Sequence, residues 1–168
     1  MSVPNARKRW MAKLYAGIIS EAHKRPDLHR QALEHFAKLG VEHIIHAGDF
    51  SQEQNVKDLD ATGLPYTAVF GNNDAKLAGL GQKYHIFAEP HYFKLKDTTF
   101  KLMHLPFYLT GDVRVVISGH THEFACEKRG RTLFVNPGEV CARNKPVSEY
   151  ATLMVDEKGY HVVHFYKD

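Results

Sequence analysis

With 168 residues, 43% of them hydrophobic and 24% charged, the chain has the length of one domain and the composition of an ordinary globular protein. A formal net charge of +3 is too small to argue for a nucleic-acid partner, and the one dense basic cluster, "ARKRW", is read as a solvated N-terminal tail. No apolar run approaches the roughly 18 residues of a membrane span, and two cysteines outside any C-x-x-C pair are too few for a disulfide framework, so a reducing, cytoplasmic setting without membrane attachment is expected.

"MAKLYAGII" follows basic residues as a signal peptide would, but Lys13 breaks its apolar run and Glu21, His23, Lys24 and Arg25 follow it. Residues 1–12 are taken as an N-terminal extension and residues 13–168 as one domain. "LYAGIIS", Leu14 to Ser20, predicts a buried strand. "PDLHRQALEHFAKLG" predicts a helix: Pro26 suits its first turn, Leu28, Ala32, Phe36 and Leu39 recur at helical spacing, and Gly40 suits the stop. "VEHIIHAG" predicts a second strand. Ser51 with Gln54 three residues on has capping-box spacing and predicts a helix to about Asp60. "YTAVF", Tyr66 to Phe70, predicts a third strand, and Ala75 to Tyr84 a short helix and loop. From "HYFKL" onward the chain reads as short strands, "TFKLMH", "VRVVIS", "FACEK", "TLFVN", "YATLMV" and "YHVVHFY", separated by "KDT", "RG" and "DEKG". A β-α-β-α-β half followed by a mostly β half predicts an α/β fold with two sheets face to face and helices outside.

Ligands of open α/β sheets bind beyond the carboxyl ends of the strands. Here five strand ends are followed by "EAH", "GDF", "GNND", His104 and "GHTH". The ordered series Glu21-x-His23, Gly48-Asp49, Gly71-Asn72-Asn73-Asp74, His104 and Gly119-His120-Thr121-His122 resembles the calcineurin-like metallophosphoesterase family, and "NPGE", Asn136 to Glu139, resembles its small single-domain phosphodiesterases. The likeness runs from about Leu14 to Tyr166.

That resemblance implies a four-layer αββα sandwich of two packed mixed sheets flanked by helices. It implies a metal-dependent phosphoesterase, first of all a phosphodiesterase, in which a hydroxide bridging two metal ions attacks phosphorus in line. Glu21, His23, Asp49 and His122 would hold one ion, and Asp49, Asn72, His104 and His120 the other, with Asn73 and Asp74 beside Asp49 as the remaining catalytic candidates. Imidazole and carboxylate donors suit manganese first, with iron, zinc or nickel as alternatives. Two divalent ions bring about +4 against −2 from the two carboxylates, so a small phosphoester or nucleotide is the expected guest. No nucleic acid is expected as a partner, and homo-oligomerisation stays open.

Three residues depart from the family pattern. Glu21 stands where the family has Asp. Asn73 stands where many members carry a histidine that protonates the leaving oxygen, and an amide has no such proton to give. His104 leads into "LPFYLTGD", too short for a helix and return, so the substrate rim is expected to be more open, or lined by Phe107 and Tyr108. The competing readings are a non-catalytic protein-binding scaffold like the small subunit of retromer, and a phosphomonoesterase or dinucleoside polyphosphate hydrolase.

Overall fold

The computed structural model describes residues 13–168, so the expected extension over residues 1–12 lies outside the described residues. The elements run β1 (Leu14–Ile19), α1 (Pro26–Leu39), β2 (His43–His46), α2 (Glu53–Ala61), β3 (Tyr66–Val69), a 3-10 helix (Ala75–Leu80) and β4 (Ile86–Phe87). The second half runs β5 (His91–Leu95), β6 (Thr98–Leu102), β7 (Val115–Ile117), β8 (Phe124–Arg129), β9 (Thr132–Pro137), β10 (Ser148–Asp156) and β11 (Gly159–Lys167).

Two mixed sheets form, in the orders β11-β10-β1-β2-β3-β4 and β5-β6-β7-β9-β8. β1 pairs parallel with β2 and β2 with β3, in a register that sets Ile18 opposite Ile45 and Ile45 opposite Thr67. In the second sheet β7 lies parallel between β6 and β9. The carboxyl ends of these parallel strands fall on one rim, and the histidines and carboxylates sit in the loops that leave it.

Side chains alternate across a strand, and each sheet uses that alternation. Leu14, Ala16 and Ile18 of β1 point into an apolar layer between the sheets, with Ile45, Val69, Phe100, Leu102, Ile117 and Leu153. Ile19 points the other way and packs with Phe36 of α1, Val56 and Leu59 of α2, and Ile44. A strand buried on both faces must be apolar throughout, which is why "LYAGII" carries no alternating pattern.

The α/β architecture with two packed mixed sheets is the expected one, but its helices are unevenly placed. Both α-helices cover the six-stranded sheet. Among the described residues no helix covers the outer face of the other sheet, because the segment after His104 is too short to make one. A loop folds over part of that face instead. Lys101 of β6 is fully buried there, its ammonium 2.6 Å from both Thr110 Oγ1 and Asp112 Oδ1. Burying a charge is costly unless it is paired, so Asp112 pins the loop to the sheet.

Local expectations shift at several element ends. Ser51 does not cap α2: the N-cap position is Gln52, in extended conformation and without a side-chain cap bond. β3 stops one residue earlier than expected, at Val69. The two-residue β4 extends the first sheet between Tyr84 and His91, a stretch for which the sequence predicts no element. No helix among the described residues is long and apolar enough to cross a membrane.

Candidate metal centre

Backbone hydrogen bonds tie the strand-end loops to one another. The amide of Glu21 donates to the carbonyl of Gly48 (3.1 Å), and the amides of Ala22 and His23 donate to that of Asp49 (3.0 and 3.2 Å). Gly119 donates to the carbonyl of His104 at 3.1 Å, which joins the loops of the second sheet. Val140 and Cys141 donate to the carbonyls of Ser20 and Glu21 (3.2 and 3.0 Å), bringing the segment after β9 onto the end of β1.

The turns that result are tight. Of the eight described non-glycine residues with positive φ, six are Glu21, His23, Asp49, Ser51, His120 and His122, with values between 45° and 68°. Such left-handed conformations are disfavoured for residues with a Cβ and persist only where surrounding contacts fix them. Two glycines make room for the carboxylates. A Cβ at Gly71 would stand 2.1 Å from Asp49 Oδ1, and one at Gly119 would stand 2.3 Å from Ser20 Oγ and 3.0 Å from Glu21 Oε1.

The side chains converge as two groups around one carboxylate oxygen. On one side His23 Nε2 and His122 Nε2 lie 2.9 and 3.1 Å from Glu21 Oε2. On the other, Asn72 Oδ1 lies 2.7 Å from His104 Nε2 and 3.1 Å from His120 Nδ1. Asp49 Oδ2 stands between them, 3.5 Å from His23 Nε2 and 3.4 Å from His104 Nε2. Donor atoms of Glu21, His23 and Asp49 all lie within 4.8 Å of one another. Glu21, His23, Asp49, His104 and His122 are buried, while His120 and Asn72 are exposed and open the second group to solvent.

The second ring nitrogen of each buried imidazole settles its orientation. His104 Nδ1 donates to the Ala47 carbonyl at 2.8 Å, which leaves Nε2 facing Asn72 and Asp49. His122 Nδ1 lies 2.5 Å from Glu139 Oε2 and turns Nε2 toward Glu21. His23 Nδ1 meets the Ser51 hydroxyl at 3.0 Å. Histidines that hold metals are fixed in this way, through the nitrogen that does not face the ion.

The charges fit a cation site. Burial alone would raise the Asp49 carboxyl pKa, but bonds from His104 and Asn73 outweigh it and hold that pKa well below the usual carboxylate range. Burial would likewise raise the Glu21 carboxyl pKa, but bonds from His122 and His23 outweigh it and lower that pKa. Contacts with Cys141, Glu21 and Glu139 push the His122 imidazole up to about 10. Carboxylates that stay ionised while buried need positive charge beside them, and the His104 and His122 imidazoles, both shifted upward, are placed to supply it. A donor set of imidazole nitrogen and carboxylate or amide oxygen suits divalent transition metals.

All nine residues expected at the site gather there, but in different capacities. Asn73 faces Asp49, its amide 2.8 Å from Oδ2 and its backbone N–H 3.0 Å from Oδ1. Asp74 is only 1% exposed and has turned inward. Its Oδ2 accepts from the amides of Asp49, Phe50 and Gly71, and its Oδ1 from that of Ser51, so it clamps the Asp49 turn and has no oxygen left for a substrate. His46 is buried beneath the same turn, where its Nδ1 accepts from the Gly48 amide at 3.1 Å. Ser51, Cys141 and Arg143 also border the site, and only the position of Cys141 and Arg143 just after "NPGE" hinted at it. Arg143 Nη2 lies 3.3 Å from His122 Nε2. A cavity of about 580 Å³ opens beside the first group, lined by His23, Lys24, Arg25, Asn73, Cys141 and Arg143 among others.

Residues 14–158 match the model of the calcineurin-like phosphoesterase superfamily domain. A phosphodiesterase of Methanocaldococcus jannaschii is 29% identical over 160 residues, covering 88% of this chain and 96% of that protein. A solved structure of an archaeal phosphodiesterase superposes with a TM-score of 0.80 at 28% identity, over 90% of this chain and all of its own. Vacuolar Protein Sorting 29 of Cryptosporidium parvum shares the fold, with a TM-score of 0.64 at 17% identity over 93% of this chain and 98% of its own. With the match spanning nearly every described element and every strand end that carries a histidine or carboxylate, the chain belongs to the calcineurin-like phosphoesterase superfamily.

Proposed function

We propose that residues 13–168 form one metallophosphoesterase domain that works as a metal-dependent phosphodiesterase with a pair of divalent ions, manganese first among the candidates. The observation that carries this reading is the place of Asp49 Oδ2, within 3.5 Å of a ring nitrogen in each of the two donor groups. Glu21, His23, Asp49 and His122 would hold one ion, and Asp49, Asn72, His104 and His120 the other. Bound there, two divalent ions supply a water acidic enough to attack phosphorus in line, and neutralise the phosphoryl oxygens.

The chain's own residues bind and orient the ester. Arg25 at the cavity mouth is paired with Asp27 at 2.9 Å. Lys24 and Arg143 have no carboxylate partner among the described residues, so the rim attracts an anion. An arginine set next to cation ligands is repelled once the cations bind, unless an anion lies between, and a phosphodiester is such an anion. Asn73 can donate a hydrogen bond but holds no proton for a departing alkoxide, so acidic leaving groups suit this site.

The test is metal content and turnover on the purified full chain with Mn²⁺, comparing a bis-aryl phosphate with an aryl monophosphate. Two ions per chain and preference for the diester are expected, with rates that rise as the leaving-group pKa falls. His120→Ala, at an exposed position, should stay folded and lose at least about 100-fold in kcat/KM. A folded chain with no bound pair and no turnover is instead the scaffold reading, and preference for the monoester is the phosphomonoesterase reading.

A further inference from the structure

Cys141 sits at the metal centre although no ligand position of the family resemblance falls on it. It is 2% exposed. Its sulfur and one ring nitrogen each of His23 and His122 lie within 4.8 Å of one another. The two imidazoles are themselves stacked, with centroids 5.3 Å apart and an interplanar angle of 18°. The backbone sets this position from two directions. The amide of Cys141 donates to the Glu21 carbonyl at 3.0 Å. Two residues earlier, Glu139 accepts from the amides of Asn144 and Lys145, at 2.8 and 2.6 Å through Oε1, which closes the loop around the thiol.

A buried cysteine is often a small hydrophobe that fills a core. Cys141 does not fit that description, because its neighbours here are two imidazoles and the Glu139 carboxylate, whose Oε2 is 3.6 Å from the sulfur. Bond lengths of about 2.0 Å to nitrogen and 2.3 Å to sulfur put neighbouring donors of one four- or five-coordinate ion roughly 3–3.8 Å apart. The three atoms, all within 4.8 Å of one another, therefore need to close by no more than about 1.5 Å, a small side-chain rotation.

Resting on the metal-centre reading above, we infer that Cys141 is a thiolate ligand of the ion held by His23 and His122, and that it biases this position toward a softer metal than its partner takes. On binding, the sulfur–hydrogen bond breaks, a sulfur–metal bond forms, and the proton leaves to solvent through the cavity that Cys141 lines. No electrons are exchanged. Thiolate donors favour zinc and iron(II) over manganese, so the two ions of the pair need not be the same element.

The experiment is a Co²⁺ titration of the full chain, followed in the visible and near ultraviolet, with Cys141→Ser, Cys141→Ala and Cys126→Ser. Cys126 is exposed and serves as the control thiol. A thiolate-to-cobalt charge-transfer band that saturates with bound metal, survives in Cys126→Ser and is lost in both Cys141 variants is the expected result. In competition, Cys141→Ser should lower the preference for Zn²⁺ over Mn²⁺ by about tenfold. Visible cobalt bands without the charge-transfer band overturn the thiolate ligand and leave the metal centre standing. No cobalt uptake at all overturns both.

Discussion

Replacing Asp74 by asparagine tests whether this residue clamps the centre rather than taking part in its chemistry. Its Oδ2 accepts three amides, Asp49 at 2.9 Å, Phe50 at 3.2 Å and Gly71 at 2.7 Å, and its Oδ1 accepts Ser51 at 2.7 Å. An asparagine placed with its oxygen at the Oδ2 position keeps three of these bonds in weaker, uncharged form. Its NH₂ then points at the Ser51 amide, two donors face to face beside a side chain that is itself 1% exposed. A hydrogen bond to a charged group is worth about 1.5–3 kcal/mol, and a buried unsatisfied donor costs about 1–3 kcal/mol. Burial pushes the Asp74 carboxyl pKa up against the amides that lower it, so removing the charge returns part of its desolvation cost. The net loss is about 3 kcal/mol, which in a chain of this length lowers Tm by roughly 6–12 °C.

The assay is thermal unfolding in the presence of a chelator, so that metal binding does not enter, followed by Mn²⁺ uptake on the refolded protein. A melting point within about 1 °C of the parent refutes the clamp, since the lost bonds cannot then be worth what hydrogen bonds to a buried carboxylate are worth. Near-parental stability with lost turnover would instead return Asp74 to a direct role in catalysis.

Two other changes probe the surroundings of the site. His29 is fully buried with its Nε2 3.2 Å from His46 Nε2, and burial lowers its pKa from 6.5 to about 4. Above the unfolded value its contribution is complete; as pH falls from 6.5 toward 4 the unfolded chain takes up the proton first, and stability declines by up to about 3 kcal/mol. His29→Phe should therefore lose less melting temperature than the parent between pH 7 and pH 5, and equal losses would refute the buried neutral imidazole. Glu21→Asp shortens a side chain whose Oε1 accepts the His120 amide at 2.6 Å and whose Oε2 faces both His23 and His122. Because both oxygens are engaged at the longer reach, Mn²⁺ affinity measured by calorimetry should fall about tenfold; a rise would make Glu21 a compromise that aspartate relieves.

The histidines and carboxylates of the centre are legible in the sequence because each comes directly after an apolar run, and parallel strands deliver the loops at their carboxyl ends to one rim. The order Glu21, Asp49, Asn72, His104, His120 is the order in which strands reach that rim. The capacities of Ser51 and Asp74 are not legible. Ser51 has the spacing of a capping box, but an N-cap residue needs an extended backbone, and Ser51 has φ of 60° with its amide given to Asp74. A left-handed residue without glycine leaves no local trace. Asp74 reads as a turn former in "GNND", and its bonds to a loop 23 to 25 positions earlier depend on how β2 and β3 lie side by side. For Cys141 the sequence offers only its place just after "NPGE"; nothing near it says that its amide will dock on Glu21.

The strained turns and their clamps belong together. Left-handed conformations at non-glycine residues cost on the order of 1–3 kcal/mol each, and six of them surround one centre. Relaxing any one to an ordinary turn would swing its side chain away from the others. Asp74 holds Asp49 and Ser51, the Gly48–Asp49 backbone holds Glu21 and His23, and Glu139 holds the His122 ring. These restraints close on one another, since the Asp49 turn is fixed by Asp74 and itself fixes the His23 turn. Donors that lie far apart in sequence are therefore held together by the fold itself, with Nε2 of His104 turned to Asp49 and Nε2 of His122 to Glu21 by the bonds their other ring nitrogens make.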